Sequence, residues 1–80
     1  MLANAEEIRK QIGHRIRVRR VDRRMAQREL AEQIGGNQAQ VSGWEMGRRV
    51  MRLEDAMAVA KVLGTTVGYL AGEQETRAAS

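Results

Sequence analysis

Apolar residues recur along this chain at helical spacing, and each recurrence is bounded by residues that start or stop helices. Ile8, Ile12 and Ile16 stand four apart and lead into Arg20, so the stripe ends on a charge that wants a partner. Asn4, three residues before Glu7, nearly completes a capping box, and Val21 to Arg24 break the pattern, which predicts a first helix over residues 5–21. Met25, Leu30, Ala31 and Ile34 fit a short second helix over 26–33, stopped at Gly35-Gly36, where positive φ has no steric cost. Asn37 is a good cap for a third helix running to about Met46, with Val41 and Trp44 on one face, Glu45 beside them and Gly47 just past the end. Leu53, Ala56, Met57, Ala60 and Leu63 trace a fourth helix ending before Gly64. Thr66 can cap a last short helix carrying Val67 and Leu70. No strand pattern or repeat competes, so the expected fold is all-α, a compact five-helix domain over residues 1–72 with a polar, flexible tail over 73–80.

Eighty residues make one small domain and exclude a two-domain enzyme. The absence of cysteine removes disulfides, thiolate nucleophiles and Cys-based zinc sites. The net charge of +4 is uneven: residues 1–52 hold 12 bases and 6 acids, residues 53–80 hold 2 and 4. The basic part is a candidate polyanion-binding surface. The opening stretch Met1 to Glu7 lacks the apolar run of a signal peptide, and Ala56 to Gly72 is too short and interrupted for a span of about 20 apolar residues. The expectation is a cytoplasmic chain without a membrane segment.

Catalytic chemistry is poorly supplied, so no enzyme and no cofactor are expected. The acid pairs Glu6/Glu7 and Glu54/Asp55 are adjacent in sequence, so their side chains point about 100° apart on a helix, and their simpler role is to favour the helix dipole. His14 has no second histidine at metal-ligand spacing, which leaves it a solvated side chain or a phosphate neighbour; no metal site is expected. Gly35-Gly36 lacks the Lys-Ser/Thr of a phosphate-binding loop.

A short helix, a glycine turn and a second short helix remain, and the segment from Gln27 to Trp44 carries helix-turn-helix spacing: Gln27 opening, Ala31 small where helices cross, Gly35 at the turn, Val41 and Trp44 as anchors. With Ile12-Gly13-x-Arg15-Ile16-Arg17 before it and Glu45-x-Gly47-x-Arg49, Leu63-Gly64-Thr65-Thr66 and Tyr69-Leu70 after it, the chain resembles the Xre/Cro family of lambda-repressor-like five-helix DNA-binding domains over about residues 8–72. On a helical wheel with Val41 at zero, Trp44 falls at about 300° and Glu45 at about 40°, whereas Ala39, Ser42, Gly43 and Met46 fall between about 100° and 200°. Gln38 and Gln40 flank that outer face. Base reading in the major groove is therefore expected from Gln38, Ala39, Gln40 and Ser42, with Gly43 on the same face; the simpler reading of the glutamines is a solvated helix surface.

The resemblance further implies that Gln27 hydrogen-bonds a DNA phosphate and that Arg20 and Glu45 form an ion pair tying the first helix to the reading helix. Arg48, Arg49 and Arg52 would lie along the same backbone, or be ordinary surface charge. The likeness is to phage repressors and Cro, which implies a homodimer on a two-fold operator of double-stranded DNA. Val67, Tyr69 and Leu70 are the candidate dimer interface, although they could equally close the monomer's own core. The rival reading is an antitoxin or anti-repressor, in which the same fold binds a protein partner. A membrane or RNA role for the first helix ranks third, because its isoleucines are needed inside and, of the aromatics that RNA readers stack on bases, the chain has only Trp44 and Tyr69, with Trp44 spent inside.

Five positions depart from the family pattern. Arg19 stands where an apolar residue is usual, and Arg24 where glycine is usual, so Arg24 adopts a left-handed backbone at some cost or the turn differs. Gly43 replaces a long polar side chain: either the backbone approaches DNA closely there, or direct readout is thin and operator shape contributes more. Met46 and Met51 replace residues that are often polar or proline, so phosphate contacts are not carried over to them.

Overall fold

The computed structural model describes residues 4–73, and the expected tail beyond Glu73 lies outside the described residues. Five helices follow one another: α1 (Ala5–Asp22), α2 (Gln27–Gln33), α3 (Gln38–Glu45), α4 (Leu53–Leu63) and α5 (Val67–Leu70). Three start on side-chain caps, with Asn4 accepting from the Glu7 N–H, Asn37 from the Gln40 N–H and Thr66 from the Tyr69 N–H. At α2 the Glu29 carboxylate reaches back to the Ala26 N–H at 2.8 Å.

All five helices end in the same way. The last turn of each closes with a six-to-one and a five-to-two backbone bond, as in α2, where the Gly36 N–H donates to the Ala31 carbonyl and the Gly35 N–H to that of Glu32. This closure needs one residue with positive φ, supplied by Gly35, Gly47, Gly64 and Gly72 after α2 to α5. After α1 it is Arg24, with φ of 54°. The turn therefore keeps the shape that glycine would give it, and Arg24 adopts the left-handed backbone, which costs a side-chain-bearing residue about 1–2 kcal/mol.

The core comprises Ile16, Leu30, Ala31, Val41, Trp44, Val59, Ala60, Leu63 and Leu70, so every helix contributes to it. α3 lies against both α1 and α2, and α4 and α5 close the other side of α1. The tightest approach is at Gly13 of α1, where an added Cβ would collide with the carbonyl oxygens of Trp44 and Glu45. Only glycine lets the end of α3 come this near.

Two expected stripes are corrected. Ile8 is exposed, so the α1 stripe becomes buried only from Ile12 onward. In α4, Leu53 and Met57 are 65% and 58% exposed, and the buried face is Val59, Ala60 and Leu63. The core touches α4 on one side of its apolar arc, and Leu53 lines an open groove with Ile12, Met51, Ala56 and Val67.

Candidate nucleic-acid interface

Trp44 is 3% exposed and Val41 fully buried, which turns the opposite edge of α3 outward. Gln38 and Ala39 on that edge are exposed, and Ser42 and Gly43 are half-buried. Gln40 is placed differently from the sequence expectation. Its amide oxygen accepts from the Asn37 N–H at 2.9 Å, completing the capping box of α3. That bond folds the Gln40 side chain back onto the start of α3, so in the free protein it serves as part of the helix cap.

Behind the open edge, one polar chain links three helices. Arg20 donates through Nε to Glu45 Oε2 at 2.6 Å, through Nη2 to Glu45 Oε1 at 3.0 Å, and through Nη1 to the Met25 carbonyl at 2.7 Å. The side chains of Arg20 and Glu45 are 12% and 3% exposed. The hydrogen bonds to Glu45 outweigh burial and hold the Arg20 guanidinium above its ordinary pKa, so it stays charged at any usable pH. Gln27 then donates to Glu45 Oε1 at 3.0 Å and accepts from the Gln38 amide at 3.3 Å. The residue expected at a phosphate and the residue expected at a base are thus hydrogen-bonded to each other, and both are anchored on one ion pair.

The three loop arginines have different surroundings. All are exposed. Arg52 lies 3.6 Å from the Glu54 carboxylate, and Arg48 follows the Gly47 turn, its N–H bound to the Gly43 carbonyl. Arg49 lies back over α3, with its Cβ 3.1 Å and its Nε 3.5 Å from where a Gly43 Cβ would stand.

Not all of the positive charge faces outward. Arg19 is half-buried and donates through Nη2 to the carbonyls of Leu63 and Gly64, with its guanidinium carbon 5.7 Å from the Tyr69 ring centre. Arg23 lies beside Gly64, and Arg15 beside Gly72. These three residues, spaced four apart on α1, meet the carbonyl ends of α4 and α5, where the helix dipole is negative. They were legible in the sequence only as part of a basic surface; Arg19 hydrogen-bonds these carbonyls, whereas Arg15 donates to Gln11 of its own helix and Arg23 stays exposed.

The candidate dimer residues separate as well. Leu70 is 1% exposed and so closes the monomer, correcting its assignment to an interface, while Val67 is half-buried and packs against the core. Of the three, Tyr69 alone is exposed. Among the described residues, no three His, Cys, Asp or Glu side chains cluster to hold a metal ion, and no helix is long and apolar enough to cross a membrane.

Five helices around a glycine turn, with one short helix clamped at its back and open at its front, define a helix-turn-helix domain. The helix-turn-helix family model matches residues 16–70, and the chain belongs to that family, in its Xre-like branch. Solved structures agree. The clp gene regulator ClgR from Corynebacterium glutamicum is 30% identical with a TM-score of 0.76, over 80% of this chain and 82% of that one. A hypothetical transcription factor, NHTF from Neisseria, is 27% identical with a TM-score of 0.79, over 94% and 86%. FeII HppE in complex with substrate is also similar, at 29% identity and a TM-score of 0.71, but this chain covers 36% of it. No curated protein matches the sequence significantly.

Proposed function

We propose that this protein is a sequence-specific regulator of transcription that binds double-stranded DNA by inserting α3 into the major groove. The observation that carries the reading is the division of α3 itself: Val41 and Trp44 are sealed inside while Gln38 and Ala39 are exposed, beside a loop bearing Arg48 and Arg52. Family membership and the likeness to regulators support the same reading. Gln38 reads adenine, Ala39 meets a thymine methyl, and Ser42 sits at the groove edge. Gln27, Arg48 and Arg52 contact phosphates and fix register without reading sequence. A single module makes few base contacts. The protein therefore acts in the manner of a phage repressor or Cro, as a homodimer on a two-fold site with reading helices about 34 Å apart, and Tyr69 marks the face through which copies meet.

The test is selection of bound oligonucleotides from a random duplex pool, followed by affinity measurements across salt concentrations. A recovered palindrome, bound selectively at about 150 mM salt, is the expected result. Uniform weak binding with no recovered sequence would overturn the proposal in favour of a protein partner.

A further inference from the structure

Gly43 occupies the middle of the outer edge of α3 and brings no side chain to it, yet it is half-buried. Arg49 covers it. The chain leaving α3 turns back at Gly47, and the Gly43 carbonyl accepts from both the Arg48 N–H at 2.9 Å and the Arg49 N–H at 3.3 Å. This pins the backbone of Arg49 to the flank of the helix. Its Cβ, Cδ and Nε then lie 3.1, 3.6 and 3.5 Å from the point where a Gly43 Cβ would be. The stem is also backed by a largely apolar groove that it lines with Ile12, Trp44, Val50 and Met51, with Arg9 at the same groove. Among the described residues, no carboxylate forms an ion pair with it.

We infer that Arg49 takes the place of the side chain Gly43 lacks and is a base-reading residue, selective for guanine, and not one more phosphate contact. The inference rests on the proposed entry of α3 into the major groove. A guanidinium presents paired donors in a fixed fork, and guanine is the base whose major-groove edge offers two acceptors, O6 and N7, at matching spacing. Glycine at position 43 weakens the helix, and what it provides is room for an arginine delivered from the loop. The reading surface is thereby composite: Gln38 and Ala39 come from the start of α3, and the arginine comes from beyond its end.

The experiment compares the unmodified protein with Arg49→Ala, Gly43→Ala and the double variant. Each is put through the same duplex selection, then titrated against the best operator and its single-base-pair changes. Arg49→Ala is expected to lose about tenfold or more on the best operator and to lose its preference for a G·C pair at one position per half-site. Gly43→Ala puts a methyl group against the arginine stem, so it is expected to lose preference at that same pair, with a thermal melt run alongside to confirm that the variant is folded. The double variant should be no worse than Arg49→Ala alone, since both changes remove one contact.

An Arg49→Ala protein that binds all sequences more weakly by one common factor, with a log–log salt slope shallower by about 1, would overturn the inference and make Arg49 a phosphate contact. Additive losses in the double variant, or an unchanged base preference in Gly43→Ala, would overturn it also. These outcomes leave the regulator reading standing, because the unmodified protein still selects a site. If the unmodified protein selects none, that reading falls first and this one with it.

Discussion

The two edges of α3 differ in what a mutation there can damage. The inner edge is held by Trp44 and Val41 in the core, by Glu45 in its bond to Arg20, and by the contact with Gly13. The outer edge, with Gln38 and Ala39, is exposed, and it meets its own chain at the Gln38 bond to Gln27 and the Arg49 stem over Gly43. The inner edge places the outer one, so the fold's stability concentrates behind the reading surface and leaves that surface free to vary. The comparison breaks if changes on the two edges have similar effects.

Trp44→Ala should be the most damaging change, at about 3–5 kcal/mol in a urea melt, because it empties the centre of a small core. A domain of this size is stable by about 4–12 kcal/mol in total, so the variant is expected to be largely unfolded near 37 °C. Arg20→Ala should cost a similar amount, about 3–5 kcal/mol, because it strands the Glu45 carboxylate, 3% exposed, without its partner. Replacing both residues with apolar ones should recover much of that loss, and failure to recover it would show that the pair holds the helices in register. Gly13→Ala should cost about 1–3 kcal/mol, because its new Cβ meets backbone oxygens that cannot swing aside. Arg24→Gly should change stability in the other direction, raising it by about 1 kcal/mol through relief of the left-handed backbone. Gln38→Ala should move the melt by no more than about 0.5 kcal/mol while relaxing base preference at one or two positions of the selected site. A large loss of stability there would erase the distinction between the two edges.

Local chemistry made much of the fold readable in advance. Asn37, Thr66, Gly35 and Gly64 mark helix boundaries because a cap or a positive φ is decided within a few residues. Two features were out of reach for the opposite reason. Gly13 matters because of Trp44 and Glu45, and Arg19 because of carbonyls 44 and 45 residues later. Helical periodicity says that α4 has an apolar arc but not which side of it faces a neighbour, so Leu53 and Met57 were assigned inside when Val59 belongs there. In the interface, the outward edge of α3 followed from the wheel, because Val41 and Trp44 leave one direction free. Gln40 did not, because its wheel angle says nothing of a side chain folding back onto Asn37. Arg49 reads in sequence as one of three similar loop arginines, and only the return of the chain over Gly43 sets it apart.

The placement of Trp44 has a practical consequence. It is the sole tryptophan, it lies directly behind the reading edge, and its indole N–H finds no acceptor among the described residues. The protein thus carries its own optical gauge: short-wavelength emission while α3 is seated, and a red shift when water reaches the ring. Because the indole is screened from the groove-facing side, loss of that signal on adding a duplex would report a helix pulled from its bed, whereas an unchanged spectrum would report a rigid reader docking as it stands.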